Sequence, residues 1–442
     1  MKKFIYILLG SVSIIIFYFI LVNIFPKSAG RYPVYVLLFL LDLYLYSSLH
    51  RKIWSWKKPK AIVFTFLYWL PALMVLVLIF GSILIPFIYW NKSFETYLVG
   101  LILISYISKL IPIIFLFISD MIRFIRFIFR QARRKKKIQG EKISRSVFLK
   151  RVGLIGGGLM FGGLLAGIVK WVHDFRVREE IIRIPDLPPS FSGFRIVQFS
   201  DLHLGSWLSK KDLEEAVDII NDLDADVVFF TGDLVNYSSE ETFKFEHILS
   251  KIKTRMGVYT ILGNHDYGDY VKWKTPEAKA KNLQELYNFY RRIGWKLLRN
   301  ENMIIKKGDD KIAIIGVENW GSMKRFQKFG DMDKAIRGAE DVPVKILLSH
   351  DPTFWEYKVI NFRQTIDLTL SGHTHGGQVG VEFPAIKWSP AQYVYKYWAG
   401  LYSSMNMTAG GEQYLYVNRG TGSIGYPGRV GILPEITLIQ LY

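Results

Sequence analysis

Long apolar runs fill the first part of the chain, and short polar segments separate them. Residues 4–25, 33–49, 61–90 and 98–122 are almost free of charge, and a further run at 152–172 is apolar and rich in glycine. A transmembrane α-helix needs about 20 consecutive apolar residues, so each run is long enough to cross a bilayer. The pattern predicts an N-terminal α-helical transmembrane bundle with four helices within 1–122. It also predicts a fifth transmembrane or signal-anchor-like helix at 152–172.

The pattern changes after residue 173. Short runs rich in Val and Ile alternate with amphipathic stretches, which is typical of an α/β domain. The predicted strands are 195–199, 227–231, 258–262, 311–316, 345–348, 367–370, 414–417 and 436–441, and the predicted helices are 211–223, 242–253 and 278–293. We therefore expect residues 174–442 to form a soluble α/β domain.

Charge is distributed unevenly between these two regions. Residues 1–173 contain 24 Lys and Arg against 4 Asp and Glu, whereas residues 174–442 contain 33 against 34. The excess of basic residues belongs to the membrane region, so a nucleic-acid partner for the α/β domain is not expected. The chain has no cysteine, which excludes disulfides, thiolate metal sites and a cysteine nucleophile.

Basic residues between the apolar runs determine the expected orientation. They concentrate at 51–60 and at 123–137, the latter within a predicted basic cytoplasmic linker at 123–151, whereas 26–32 and 91–97 together contain three. Lys and Arg favour the cytoplasmic side, which places both basic segments and the N-terminus in the cytoplasm. Five spans then predict a multi-pass protein of the cell (inner) membrane with 174–442 on the extracytoplasmic side. If 152–172 does not span, the α/β domain is cytoplasmic.

Polar side chains follow five predicted strands. The motifs are Asp201-Leu202-His203, Gly232-Asp233, Gly263-Asn264-His265-Asp266, His350-Asp351 and Gly372-His373-Thr374-His375. Each alone is compatible with a turn or a helix cap, but five motifs of one form at strand ends indicate a ligand site, because strand ends meet at one edge of a sheet. Carboxylates, imidazoles and an amide oxygen suit Mn²⁺, Fe²⁺ or Zn²⁺. Seven candidate ligands suit two divalent metal ions that share a carboxylate.

The two histidines of the last motif are one residue apart. An extended backbone directs alternate side chains to the same side, so His373 and His375 are expected to point toward one site.

The ordered set D-x-H, G-D, G-N-H-D, H and G-H-x-H resembles the calcineurin-like metallophosphoesterase family over residues 193–442. The residues that flank the first and last motifs resemble those of a membrane-associated bacterial branch of that family. The resemblance implies a four-layer α/β/β/α sandwich and a hydrolase that acts on ester or pyrophosphate bonds.

The resemblance also implies a role for each site residue. Asp201, His203 and His375 hold the first metal, Asn264, His350 and His373 hold the second, and Asp233 bridges both. His265 faces the substrate and protonates the leaving group, and Asp266 orients its ring. A hydroxide held between the two ions attacks phosphorus in line with the leaving oxygen. Arg429 is expected either to contact substrate phosphate or to form a structural ion pair.

The expected function is hydrolysis of a phosphodiester, phosphomonoester or pyrophosphate bond, in a lipid-linked substrate at the bilayer. UDP-2,3-diacylglucosamine-type lipid A precursors fit by resemblance, but they are handled on the cytoplasmic face, opposite to the expected side. One alternative is a nuclease or nucleotide phosphodiesterase on the same metal core. Another is an accessory catalytic domain of a membrane sensor or transporter, because Asp42, Lys109 and Asp120 lie within the spans. Asp42 and Asp120 lie near span termini, which favours interfacial positions and an anchoring bundle.

Overall fold

The computed structural model describes residues 18, 19, 22, 23, 30, 32–85, 90–132, 145–384 and 386–442. The predicted first span, 4–25, lies outside these residues apart from four positions, as does the central part of the predicted basic linker. The chain divides into two compact units, Met1–Phe87 with Leu101–Gly162, and Ile88–Gly100 with Gly163–Tyr442. The exact boundaries of the sequence-based domains therefore stay predictions.

Four helices within the described residues are long and apolar enough to cross a membrane. They are α1 (Tyr32–Ile53), α2 (Lys58–Leu84), α3 (Lys92–Ala132) and α4 (Arg145–Val169). Each coincides with one of the predicted spans 33–49, 61–90, 98–122 and 152–172, although the ends differ by several residues. The chain is thus a membrane protein with helical spans before its α/β region.

A buried ion pair joins α1 and α3. Lys109 Nζ lies 2.6 Å from Asp42 Oδ1, and Tyr106 OH donates to Asp42 Oδ2 at 2.7 Å. The Asp42 side chain is fully buried, so the interfacial position expected for it is wrong. Asp42 lies in the middle of α1 and finds its cationic partner on another helix, which is how a charge is tolerated at membrane depth.

Two six-stranded sheets form the centre of the second unit. The first contains β1 (Arg176–Ile182), β2 (Phe194–Phe199), β3 (Val227–Phe230), β4 (Val258–Thr260), β5 (Lys296–Leu297) and β14 (Glu435–Leu441), in the order β1-β14-β2-β3-β4-β5. The second contains β6 (Glu301–Lys307), β7 (Asp310–Gly316), β8 (Val344–Leu348), β9 (Leu368–Ser371), β12 (Gly400–Met405) and β13 (Glu412–Val417), in the order β12-β13-β9-β8-β7-β6. A separate antiparallel hairpin consists of β10 (Val381–Phe383) and β11 (Ile386–Trp388).

Alternation of side chains along the central strands produces the layers. In β3, Val227 and Phe229 enter the core shared by both sheets, whereas Val228 and Phe230 pack on the outer side against helices. These helices are α5 (Lys210–Asp222), α6 (Glu246–Leu249) and α7 (Pro276–Arg292). On the outer face of the second sheet lie α8 (Met332–Ala335) and a π-helical turn at Trp355–Val359. The expected α/β/β/α sandwich is confirmed.

Some elements differ from the prediction. The predicted helix 242–253 shortens to the single turn α6. The pattern did not predict β1, because its sequence RVREEII contains four charged residues. These charges are tolerated because β1 is a partly exposed edge strand. These differences leave the five motif-bearing strands unaffected.

Candidate metal centre

The candidate ligands lie at the carboxyl ends of neighbouring parallel strands. In the first sheet β2, β3 and β4 are adjacent and parallel, and they precede Asp201, Asp233 and Asn264. In the second sheet β8 and β9 are parallel neighbours, and they precede His350 and the pair His373 and His375. The site is therefore built where the carboxyl-terminal edges of two sheets meet.

One group of ligands consists of Asp201, His203 and His375. One potential ligand atom from each lies within 4.8 Å of the others, and all three side chains are buried. His203 Nε2 is 3.1 Å from His375 Nε2, and His375 Nε2 is 3.3 Å from Asp201 Oδ1. This is the set that the motifs predicted for the first metal.

A second group consists of Asp233, His350 and His373. His350 Nε2 is 3.2 Å from both Asp233 Oδ2 and His373 Nδ1. The same Asp233 oxygen lies 3.5 Å from His203 Nε2, which belongs to the first group. Asp233 thus stands between the two groups, where a shared carboxylate has to stand, and His373 and His375 lie in different groups.

The donor atoms fit divalent cations. Asn264 donates from Nδ2 to Tyr270 OH at 2.8 Å, while its buried Oδ1 has no hydrogen-bond partner among the described residues. A buried oxygen without a hydrogen-bond donor is unfavourable unless it binds a cation. Here the imidazole nitrogens and carboxylates beside it would bind the same cation. Buried imidazole, carboxylate and amide donors are the set that Mn²⁺, Fe²⁺ and Zn²⁺ accept.

Five candidate ligands adopt a left-handed backbone conformation. The φ angles are 53° at Asp201, 50° at His203, 60° at Asp233, 71° at His373 and 52° at His375. The expectation of an extended backbone through His373 and His375 is therefore wrong. The chain turns sharply after β9, and the two rings diverge to separate groups. Strained conformations of this kind cluster at functional sites.

Glycines permit the close approach of the loops that carry the candidate ligands. A Cβ on Gly372 would collide with Ser200 Oγ and Asp201 Oδ2, and a Cβ on Gly263 would collide with Asp233 Oδ1. Because a side chain is excluded at both positions, Gly372 lets the His373 backbone N–H donate to Asp201 at 3.0 Å.

Burial and charge set the protonation of the site. Burial lowers the pKa of His203 to about 3 and that of His373 to about 4. Burial also raises the pKa of Asp201 to about 6. His350 differs, because burial lowers its pKa but the carboxylates of Asp233 and Asp201 raise it to about 10. Neutral imidazoles are the form in which histidine binds a metal.

His265 lies beside the two groups but is held differently. Its Nδ1 contacts the Asn236 carbonyl oxygen at 2.8 Å, its backbone N–H donates to Asp233 Oδ1 at 2.8 Å, and its ring stacks on Tyr270. The Asn236 carbonyl, rather than Asp266, therefore orients the imidazole.

Asp266 has a different task from the one predicted. Its carboxylate accepts hydrogen bonds from the backbone N–H groups of Asp233, Leu234 and Gly263 at 2.8–2.9 Å. Burial and the nearby Asp233 raise the pKa of Asp266 to about 7. The prediction that Asp266 orients the His265 ring is therefore wrong. Asp266 instead stabilises the loops that carry the ligands.

A cavity of about 220 Å³ opens over the ligands. It is lined by Asp233, Asn264, His265, Tyr270, Arg325, Phe326, His373, His375, Tyr395 and Ile424. Tyr395 OH lies 2.9 Å from His373 Nε2. The motifs did not reveal Tyr270, Arg325 or Tyr395, because these residues lie in loops without a strand-end signal.

Arg429 does not line this cavity but lies behind the candidate ligand His375, with its Nη2 3.4 Å from His375 Nδ1. It is fully buried and donates from Nε to the Gly422 carbonyl oxygen at 3.0 Å. Arg419 is also buried and pairs with Glu435 at 2.5 Å. Arg429 therefore supports the His375 loop from behind and forms no ion pair among the described residues, whereas Arg325 is the arginine that lines the cavity.

Two sequence families match the chain. Residues 194–377 match the family described as "Calcineurin-like phosphoesterase". Residues 28–171 match the family described as "Probable Calcineurin-like phosphoesterase, transmembrane domain". The two matches cover the α/β region with the candidate ligands up to Gly377 and the four helices α1–α4.

Individual relatives have the same character. The chain is 30% identical over 309 residues to the uncharacterized metallophosphoesterase YkuE of Bacillus subtilis. The aligned residues are 68% of this chain and 98% of that protein. It is 32% identical to a "Transmembrane protein with metallophosphoesterase domain" of Danio rerio, over 62% of this chain and 59% of that protein. It is 26% identical to the "UDP-2,3-diacylglucosamine pyrophosphatase LpxG" of Chlamydia trachomatis, over 59% of this chain and 89% of that protein.

Proposed function

This chain belongs to the calcineurin-like phosphoesterase family, and from that premise we propose that it hydrolyses a phosphoester or pyrophosphate bond of a substrate held at the bilayer, with two divalent metal ions. The observation that carries the proposal is the pair of ligand groups that share Asp233 beneath a cavity. A bound metal pair would lower the pKa of water and neutralise phosphoryl oxygens. Asp201, His203 and His375 would hold one ion, and Asn264, His350 and His373 the other.

His265 is the proposed general acid. The contact of Nδ1 with the Asn236 carbonyl keeps a proton on that nitrogen, which leaves Nε2 as the ring atom for proton transfer. When the phosphorus–oxygen bond breaks, the imidazolium gives its Nε2 proton to the leaving oxygen. The hydrolytic water supplies the new oxygen on phosphorus and releases one proton to solvent, and the neutral ring takes up a proton from solvent before the next turnover. Stacking on Tyr270 keeps the ring in one orientation for this step.

Arg325 is the proposed phosphate-binding residue of the chain. It lines the cavity, on a segment that also carries Phe326. A guanidinium matches the geometry of phosphate oxygens and keeps its charge at all working pH values. It would orient the scissile phosphate against the ligand groups, while Phe326 and Ile424 restrict water.

The membrane region supports a substrate at the bilayer. A soluble phosphate ester would not require a catalytic domain attached to several apolar helices. The similarity to a pyrophosphatase that acts on a UDP-linked diacylated sugar supports a lipid-linked phosphate as the substrate class. The identity of the lipid depends on the side of the membrane on which the site lies.

Contacts within the second unit support the extracytoplasmic side. Tyr97, near the start of α3, donates to the Ser206 carbonyl oxygen at 3.4 Å, and Gly167, near the end of α4, accepts from the Arg429 N–H at 3.1 Å. The start of α3 and the end of α4 therefore lie on the catalytic side. Arg123 and Arg126 lie near the other end of α3, and the basic residues 133–137 follow that end in the sequence. The positive-inside rule assigns that end to the cytoplasm.

The test is metal-dependent hydrolysis by the full chain in lipid nanodiscs. Bis-p-nitrophenyl phosphate, p-nitrophenyl phosphate, a phosphodiester lipid and a single-stranded oligonucleotide would be compared with and without Mn²⁺. We expect turnover only with metal, and a loss of about 10²–10⁴-fold in His265→Ala, because one general acid contributes that much.

His247→Ala is the matched control, since His247 is an exposed histidine outside the motifs and its loss should leave turnover unchanged. Full activity after chelation and dialysis would contradict the metal mechanism. Preference for the oligonucleotide over every other substrate would favour a nuclease instead.

A further inference from the structure

The β10–β11 hairpin exposes apolar side chains on one face, and its charged side chains contact the domain. A hairpin surrounded by water normally has the reverse arrangement. Val381 pairs with Trp388 and Phe383 pairs with Ile386, so these four side chains lie on one face. That face is open, with exposures of 38% for Val381, 41% for Trp388, 69% for Phe383 and 57% for Ile386. An exposed apolar face on a short hairpin indicates a site of association.

The other face of the hairpin carries its charges toward the domain. Glu382 pairs with Arg178 and with Arg419, both at 2.6 Å. Lys387 donates its ammonium group to the Ala399 carbonyl oxygen and lies over the Trp398 ring at 4.9 Å. The charged residues therefore hold the hairpin in place, and the apolar residues remain for an external partner.

The apolar surface continues beyond the hairpin. Tyr393 is 76% exposed and Val394 is 57% exposed, a few residues after β11. Trp and Tyr beside Phe, Ile and Val is the composition found where proteins enter the headgroup region of a bilayer. We call Val381, Phe383, Ile386, Trp388, Tyr393 and Val394 the hairpin surface.

The base of the hairpin is tied to the end of a membrane helix. Val379, two residues before β10, bridges to Val430. The neighbouring Arg429 N–H donates to the Gly167 carbonyl oxygen in the last turn of α4, and Tyr426 OH donates to the Leu164 carbonyl oxygen. The base of the hairpin is thus connected through residues 426–430 to the last turns of α4, which belong to the candidate membrane span Val147–His173.

We propose that the hairpin surface inserts into the interfacial region of the lipid bilayer. The occupant is the boundary between headgroups and acyl chains, because the surface is apolar and aromatic and is connected to α4 by the 426–430 segment. A water-exposed surface of this composition would be unfavourable, whereas shallow insertion removes it from water.

Insertion would also bring the catalytic cavity to the membrane. Ser389 Oγ, directly after β11, donates to the Gly376 carbonyl oxygen at 2.6 Å, beside the candidate ligand His375. Tyr395, directly after the hairpin surface, lines the cavity and contacts His373. This part of the inference rests on the proposed function. It names the substrate class as an amphiphilic phosphate whose acyl chains stay in the bilayer during hydrolysis.

Fluorescence tests insertion independently of activity. The chain has no cysteine, so Phe383→Cys in the full chain carries a single polarity-sensitive label in nanodiscs. We expect blue-shifted emission and strong quenching by spin-labelled lipids. The matched control is Met303→Cys, an exposed apolar position on β6 at the opposite edge of the second sheet from β12, and its label should show neither effect. Equal quenching at both positions, or a blue shift at 383 without lipid quenching, would overturn the proposal.

Turnover tests the consequence for substrate. Phe383→Ser/Ile386→Ser should lower hydrolysis of a dioleoylglycerol p-nitrophenyl phosphodiester in the same nanodisc by about tenfold, as loss of one or two buried apolar contacts would. Hydrolysis of soluble bis-p-nitrophenyl phosphate should not change. An equal effect on both substrates would contradict a role in lipid presentation. Inactivity of the wild type on both would contradict the proposed function, while the fluorescence result still decides insertion.

Discussion

Several residues at the candidate metal centre have unfavourable backbone conformations, and some of their buried polar atoms have no hydrogen-bond partner within the described part of the chain. A left-handed non-glycine residue costs about 1–2 kcal/mol, and five candidate ligands adopt that conformation. Asp266 offsets part of this cost, because its carboxylate accepts hydrogen bonds from four backbone N–H groups of the loops that carry Asp233 and Asn264. The fold therefore stabilises a geometry that isolated loops would not keep.

Asp367 provides a pH-dependent prediction at the residue scale. Burial raises its pKa to about 6 although it accepts the Lys345 N–H at 2.8 Å. Because the folded pKa exceeds the unfolded one, ionisation of Asp367 destabilises the fold as pH rises from about 4 to 6. Asp367→Asn cannot ionise, so its free energy of unfolding relative to wild type should rise by about 2 kcal/mol between pH 4 and pH 7.

The measurement is thermal or denaturant unfolding of both proteins in the same detergent at each pH. Subtracting the wild type cancels the contribution of metal binding, which both proteins share. Asp309→Asn, at an exposed position, is the control and should show a constant difference from wild type. A pH-independent difference for Asp367→Asn would contradict the prediction.

Strand-end motifs made most of the candidate site predictable from the sequence. Each ligand follows an apolar strand directly, so local pattern and topology suffice to bring them together. Arg325 and Tyr395 could not be found in this way, because they reach the cavity from loops that only tertiary packing positions. The contact of His265 with the Asn236 carbonyl was missed for the same reason, since a backbone carbonyl leaves no signature in the sequence.

At the scale of elements, α1 and α3 are joined by charge within an apolar environment. Asp42 lies against Lys109 and Tyr106, and Lys109 Nζ also donates to the Tyr68 carbonyl oxygen at 3.0 Å. A buried ion pair of this kind favours one arrangement of the two helices, because either charge would be unfavourable to bury without its partner. The presence of each helix was predictable from hydropathy, although the ends differ by several residues. The partner of Asp42 depends on helix packing and was not predictable.

Removing one member of the pair should destabilise the membrane unit. Lys109→Met leaves the Asp42 carboxylate buried without its cation, which should lower the free energy of unfolding by about 3–5 kcal/mol. Asp42→Asn/Lys109→Met should restore much of this loss, because no charge remains buried. Thermal unfolding in nanodiscs measures both variants, with the exposed Lys57→Met as control. An unchanged melting temperature in Lys109→Met would show that the pair is dispensable.

At the scale of the whole molecule, the number of spans determines where catalysis takes place. A periplasmic reporter fused after Tyr442 should be active and a cytoplasmic reporter silent if the second unit lies outside the cell membrane. The same reporters fused after residue 137, in the basic segment, should give the opposite result. A cytoplasmic signal at both positions would reject the extracytoplasmic assignment and would remove the objection to cytoplasmic lipid precursors.

The position of β14 has a consequence for the order of biosynthesis. Residues 435–441 lie between β1 and β2, and β1 pairs within its sheet only with this strand among the described residues. The first sheet therefore cannot close until residues 435–441 have been synthesised, because they form the strand between β1 and β2. Until then the first sheet remains without the strand that joins β1 to β2, and its core is incomplete. Pairing that is so distant in sequence also predicts slow folding, which begins after the membrane helices have been inserted.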